Sequence, residues 1–259
     1  MNRRELQMLD LLKELKQVYG IYGIKAEFEA EGARMDELIS LRELVLRADL
    51  DFVIKIGGCE AVHDMNQCKL LGATGVMAPM IETPFAISKF QSAAERVYGE
   101  EINTVEWIIN AETITCLANY DAILEQSKDF LQAVTVGRSD LSASMGIKRN
   151  EIESQMVYET TRVLVEKSKL YGLKTNFGGN IGIESIPFIQ KMSDVADRFE
   201  TRKVIVRMDN DADKLRKSIE KALNFELLYL LNKRDYYERL SCEDEARIER
   251  MRKQLGMAK

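Results

Sequence analysis

Short apolar runs return along this chain at intervals, and the segments between them carry helical periodicity. The candidate strands are 24–28, 52–56, 75–78, 105–109, 133–136, 174–177 and 204–207. Between the first two, Leu38, Leu41, Leu44 and Val45 fall on one face of a helix. Strands that alternate with helices give βαβ units and a parallel sheet, because parallel neighbours need a long crossover. Runs such as IIN and VTV suit strands covered on both faces. A closed barrel needs eight strands. The pattern offers seven, so either an eighth hides in 18–22 or the sheet stays open.

Two helical segments flank this pattern. Over residues 3–19, Leu6, Leu9, Leu12, Leu15 and Val18 form a stripe that stops at Gly20. From about Ala212 onward Leu215, Ile219, Leu223, Leu227 and Leu231 recur every four residues, and a second, charged helix is expected over 242–255. No Pro- or Gly-rich linker interrupts the chain, so residues 1–259 read as one domain with 212–259 as a helical carboxyl-terminal extension.

Composition narrows the function. With 259 residues, 46% of them apolar and 31% charged, the chain can bury a large core and is not a disordered one. Lys plus Arg number 37 against 42 for Asp plus Glu, a net charge of −5, which argues against a nucleic-acid footprint, since that would need a basic face. No run of 18 apolar residues exists to span a membrane. The opening MNRRELQMLDLLKELKQVYG mixes charges into a helical pattern and is not a signal peptide. The 4 cysteines (Cys59, Cys68, Cys116, Cys242) form no CxxC pair and there is one histidine, His63. That argues for reduced thiols, a cytoplasmic location and no zinc site.

In parallel α/β architectures the chemistry sits just past the carboxyl ends of the strands. Those ends present Glu29 or Glu31, Glu82, Glu112, Asp140 and Asp209. Acids crowded at one mouth repel one another unless a cation compensates, and oxygen ligands without His or paired Cys point to Mg²⁺ or Mn²⁺. The competing reading is that such acids cap the helices that follow. GRSDLSAS at 137–144 and NFGGN at 176–180 have small residues that let backbone N–H groups approach an anion, although Gly178 and Gly179 also suit a tight turn. Arg138, beside the first of these loops, suits either a substrate carboxylate or phosphate or a salt bridge. Glu82 suits a supporting role towards Lys55 or a water, and His63 reads as a helix-surface residue.

The stretches GATGVMAPMIETPFAI, INAETITCLANYDAIL and AVTVGRSDLSASMG resemble the HpcH/HpaI aldolase and citrate lyase family, metal-dependent enzymes of the pyruvate kinase-like barrel superfamily. The third matches the family element G-x-x-D-L-S-A-S-M-G almost letter for letter. The resemblance implies an α/β fold, a (β/α)8 TIM-type barrel with an N-terminal helix and a C-terminal helical extension. It also implies Glu112 and Asp140 as ligands of Mg²⁺, Mn²⁺ or another divalent ion. The substrate would be a 2-oxo acid such as pyruvate, with an aldehyde partner, and the reaction carbon–carbon cleavage through an enolate. Arg138, Ser139 and Asp140 would cradle the substrate carboxylate through their amides, with Gly178 and Gly179 close by.

Two positions depart from the aldolase pattern. Lys55 stands where the family has Arg, which keeps the charge and loses the bidentate fork. Gly32 stands at the position of the aldolase branch's basic histidine, so proton transfer falls to Glu29, Glu31, a water or the substrate. The alternatives are a citrate-lyase-like reaction on a CoA thioester, and a barrel that binds a 2-oxo acid or phosphosugar without turning it over. Relatives exchange C-terminal helices between subunits, so a homo-oligomer through the C-terminal helices is expected.

Overall fold

The computed structural model describes residues 1–255 and 257, so the last part of the expected extension lies outside the described residues. Helix α1 (Arg3–Tyr19) leads into eight strands that close on themselves: β1 (Ile21–Glu27), β2 (Asp51–Lys55), β3 (Gly75–Ala78), β4 (Glu106–Ala111), β5 (Ala133–Gly137), β6 (Lys174–Gly178), β7 (Arg198–Glu200) and β8 (Val204–Arg207). Helices α2 (Met35–Arg47), α3 (Val62–Leu71), α4 (Pro84–Tyr98), α5 (Ile114–Ser127), α6 (Arg138–Ser144), α7 (Gln155–Leu170) and α8 (Ile186–Met192) join them, and α9 (Ala212–Gln254) follows. None of the described helices is long and apolar enough to cross a membrane.

Local chemistry sets the ends of α1. The Asn2 side chain accepts the Arg4 and Glu5 N–H groups, Glu5 returns to the Asn2 N–H at 2.7 Å, and Gly20 closes the helix at φ +66°. The expected stripe is buried at Leu9, Leu12 and Leu15, while Leu6 and Val18 lie at its exposed edges. Within the barrel, side chains alternate inward and outward along each strand. Val53, Met77, Ile108, Ala133 and Ile205 form an interior apolar layer with Tyr22 against it. Below that layer the Arg198 fork meets Glu106 at 3.1 Å through both nitrogens and lies 3.6 Å from the centre of the Tyr22 ring. The middle of the barrel is therefore a packed core.

The structure corrects three expectations. The eighth strand is not in 18–22, which divides between α1 and β1; it is β7, a three-residue RFE segment. Its two outer residues are charged and point inward, so it shows no apolar run. A hairpin of residues 201–203 turns β7 directly into β8, which runs antiparallel to both β7 and β1. Asp209 consequently leaves the barrel at the end opposite the mouth. There it accepts the Asp211 N–H at 3.0 Å and pairs with Lys214 at 2.5 Å.

The third correction is that the two expected terminal helices are one. α9 runs unbroken for 43 residues, about 64 Å at 1.5 Å per residue. Leu215, Ile219, Ala222, Phe225 and Tyr229 are buried, whereas Leu223, Leu227 and residues 239–255 are exposed.

Candidate functional site

A cavity of about 410 Å³ opens at the carboxyl end of the barrel. Inward positions of the strands build it in tiers. Lys25, Asn110, Thr135 and Glu200 lie deepest, and Glu27, Lys55, Glu112, Gly137 and Gly178 sit above them. Loops and helices complete the rim with Glu29, Ser139, Asp140, Arg149, Asn180, Arg202 and, from α9, Leu223 and Glu226. Four cationic and six carboxylate side chains line the cavity, an excess of two negative charges.

Glu112 is 1% exposed. One oxygen accepts the Met80 N–H at 3.0 Å, and the other accepts Asn110 Nδ2 at 2.8 Å, with Lys55 Nζ at 3.6 Å. Met80 holds φ at +51°, a conformation unusual for its residue type, and this aims its N–H at the carboxylate. Burial pushes the Glu112 pKa above the usual carboxylate range, against the pull of Lys55 and the two N–H donors, and the nearby Asp140 charge adds to the rise. A Cβ at Gly137 would stand 2.6 Å from Glu112 Oε2, so glycine keeps the space beside this carboxylate free. Lys55 Nζ also meets Glu29 at 3.0 Å and spans the two acids.

Beneath them lies a buried ion cluster. The Lys25 ammonium pairs with Glu200 and, at 3.2 Å, with Glu27, while Asn176 Nδ2 donates to Glu200 and to Thr135 Oγ1 at 3.2 Å. Burial alone would lower the Lys25 pKa; the two carboxylates outweigh it and hold the amine above the ordinary lysine range. Glu27 sits below its ordinary range, because Lys25, Arg202 and Lys55 together overcome its burial.

Among the described residues no group of three or more His, Cys, Asp or Glu side chains is arranged to hold a metal by itself. A donor set of two carboxylates still suits Mg²⁺, which usually keeps several waters and takes one or two protein carboxylates plus substrate oxygens. Glu112 and Asp140 line one cavity, Asp140 forms no ion pair among the described residues, and glycine clears the approach to Glu112. The excess negative charge of the lining matches one divalent cation. The residues present fit such an ion.

The structure brings Lys55, Glu29, Glu112, Ser139, Asp140, Gly178 and Gly179 to this cavity and leaves two expected residues outside its lining. Arg138 is fully buried: its guanidinium holds Glu153 at 2.9 and 3.3 Å and the carbonyls of Gly178 and Gly179 at 3.1 and 2.9 Å. It shapes the 178–180 turn from behind. Glu31 pairs with Lys203 and, at 3.2 Å, with Arg202. Gly179, at φ +93°, has no room for a side chain, since a Cβ would fall 2.5 Å from the Ser139 nitrogen. Glu82 accepts the Thr113 hydroxyl at 2.6 Å, and His63 is exposed on α3.

Sequence reasoning missed Lys25, Glu27, Glu200, Arg149 and Glu226. Lys25 and Glu27 were legible as alternate polar positions in an otherwise apolar strand, a pattern that marks an inward polar face. Arg149 and Glu226 left no such signal, for they reach the cavity through a loop and a helix placed by tertiary structure.

The model of the HpcH/HpaI aldolase/citrate lyase family matches residues 33–175. A family protein from Burkholderia cenocepacia J2315 is similar in structure, with a TM-score of 0.60 at 16% identity over 74% of this chain and 82% of that one. An HpcH/HpaI aldolase from Desulfitobacterium hafniense DCB-2 gives 0.60 at 16% identity over 74% and 81%. A variant of the citrate synthase SbnG gives 0.54 at 14% identity over 86% and 88%. At these identities the structural likenesses speak for the fold. No curated protein matches the sequence significantly.

Proposed function

Because the chain belongs to the HpcH/HpaI aldolase/citrate lyase family, we propose that it is a carbon–carbon lyase acting next to the keto group of a pyruvate-type 2-oxo acid. The observation that supports this most is the placement of buried Glu112 and unpaired Asp140 beside Lys55 in one cavity with a negative excess. Glu112 and Asp140 would hold the divalent ion, Mg²⁺ or Mn²⁺. When bound, that ion supplies Lewis-acid stabilisation of the negative charge that develops on the keto oxygen.

The chain's own groups do the rest. Lys55, held between Glu29 and Glu112, offers its ammonium to the substrate carboxylate. The Ser139 amide and the Gly178–Gly179 turn, fixed from behind by Arg138, bound the same end of the cavity. The Lys25 cluster fixes the floor, so the polar groups are oriented before substrate arrives. Calorimetric titration of oxalate, a planar stand-in for the enolate, tests the reading. Binding at least tenfold tighter with Mg²⁺ than without, about 1.4 kcal/mol, is expected; equal affinity in both conditions rejects a metal-assisted 2-oxo acid site.

The same reading includes assembly with a second copy of the chain through α9. Beyond Glu238 this helix exposes Leu240, Ile248 and Met251, with Leu255 just past its end, apolar side chains that the described residues leave uncovered. Light scattering is expected to give a multiple of the chain mass, and a monomeric mass removes this part.

A further inference from the structure

One acid in the cavity is committed to no cation. Glu29 faces Lys55, Glu27 and Glu200 face Lys25, and Glu112 and Asp140 form the proposed metal pair. Glu226 forms no ion pair and accepts no hydrogen bond among the described residues, yet it lines the same cavity, half-buried. Its position follows from the reversed strand. Because β8 returns the chain to the far end of the barrel, α9 runs back along the wall, and its fourth turn reaches the mouth.

The surroundings of Glu226 suit proton exchange. Lys203 and Arg202 face it from the β7–β8 hairpin, and Glu31 and Glu27 from β1 and the loop after it. On α9 the positions three and four residues away are Ala222, Leu223, Tyr229 and Leu230, none of them charged. Burial raises the Glu226 pKa, Lys203 and Arg202 oppose the rise, and the two acids add to it. The Tyr229 hydroxyl is pushed up, mainly by burial, and stays neutral.

We propose that Glu226 is the catalytic residue that moves the proton at the carbon beside the substrate keto group. Gly32 cannot supply this function at the position where the aldolase branch has its histidine. The proposal rests on the 2-oxo acid reading above. In the enolising direction the C3–H bond breaks and its electron pair becomes the second C2–C3 bond. The keto π pair moves onto oxygen, and the proton passes to the Glu226 carboxylate. In the reverse direction, the ketonisation that releases the keto acid from its enolate, the protonated acid returns that proton to C3, and the electron pairs move back. An acid with a raised pKa serves both directions near neutral pH better than an ordinary carboxylate.

The test follows loss of the pyruvate methyl protons in D₂O by NMR, with Mg²⁺, for the full-length wild type, Glu226→Gln and Glu226→Asp. Glu226→Gln is expected to slow exchange by about 10²- to 10⁴-fold, Glu226→Asp to recover part of it, and oxalate affinity to stay unchanged. A readout without metal accompanies it. In glutamate ¹³C-carboxyl spectra, one resonance titrating above the ordinary range is expected to vanish in Glu226→Gln. If that variant exchanges as fast as the wild type, or loses oxalate binding together with exchange, the proposal is overturned while the 2-oxo acid reading stands. A wild type that binds Mg²⁺ and exchanges nothing overturns both.

Discussion

Glu112→Gln is expected to lower metal-dependent turnover by at least about 10³-fold, the scale of losing a main charge-stabilising group, and to weaken Mg²⁺ binding while leaving the barrel folded. The geometry separates these effects. In the introduced amide the carbonyl oxygen keeps the Met80 N–H at the place where Glu112 accepts it at 3.0 Å. The new amide nitrogen then meets Asn110, whose Oδ1 is buried with no hydrogen-bond partner. Rotating the Asn110 amide turns that oxygen towards the new donor, so this contact is kept, the Asn110 nitrogen takes the partnerless place its oxygen held, and the main change is the lost charge. Calorimetry with Mg²⁺ and thermal unfolding check the two halves. Wild-type Mg²⁺ affinity in the variant removes Glu112 from the metal site.

Lys25→Met is expected to cost about 3–5 kcal/mol of stability, the usual result of removing one partner from a buried ion cluster. Glu27 and Glu200 would be left facing each other, with Lys55 and Arg202 near Glu27 alone. The pH dependence gives a second check. Glu27 in the folded wild type sits below its ordinary value of 4.5, so its contribution is complete above that value and is lost as pH falls through the folded one. The deficit of Lys25→Met is therefore largest near neutral pH and narrows below about 4.5 as Glu27 takes up its proton. Urea unfolding at a series of pH values measures it. A variant as stable as the wild type at pH 7 means that the cluster does not support the floor of the cavity.

Much of this was legible in the chain, for identifiable reasons. Apolar runs such as GVMA over β3 and AVTVG over β5 announce strands because both their faces are buried. The acids that follow β4 and β5, Glu112 and Asp140, could be placed because a parallel strand fixes which of its ends faces the mouth. The same logic misplaced Asp209, since β8 is the strand that runs the other way, and nothing in VIVR records its direction. β7 escaped because a strand whose inward residues are Arg198 and Glu200 has no apolar signature. Arg138 illustrates a different limit: a basic residue next to a binding loop looks the same in sequence whether it faces substrate or props the loop through Glu153. Glu226 lies within a segment whose sequence announces only a helical extension with a leucine stripe, and only the path of α9 along the barrel brings it to the cavity.

The most direct test of a metal-assisted enolate site at this mouth is proton NMR of pyruvate in D₂O with the wild-type protein, first stripped of metal and then with Mg²⁺ or Mn²⁺ restored. Loss of the methyl signal only after metal is added is the expected result. A methyl signal that persists unchanged, in a sample shown by calorimetry to bind the metal, contradicts the account.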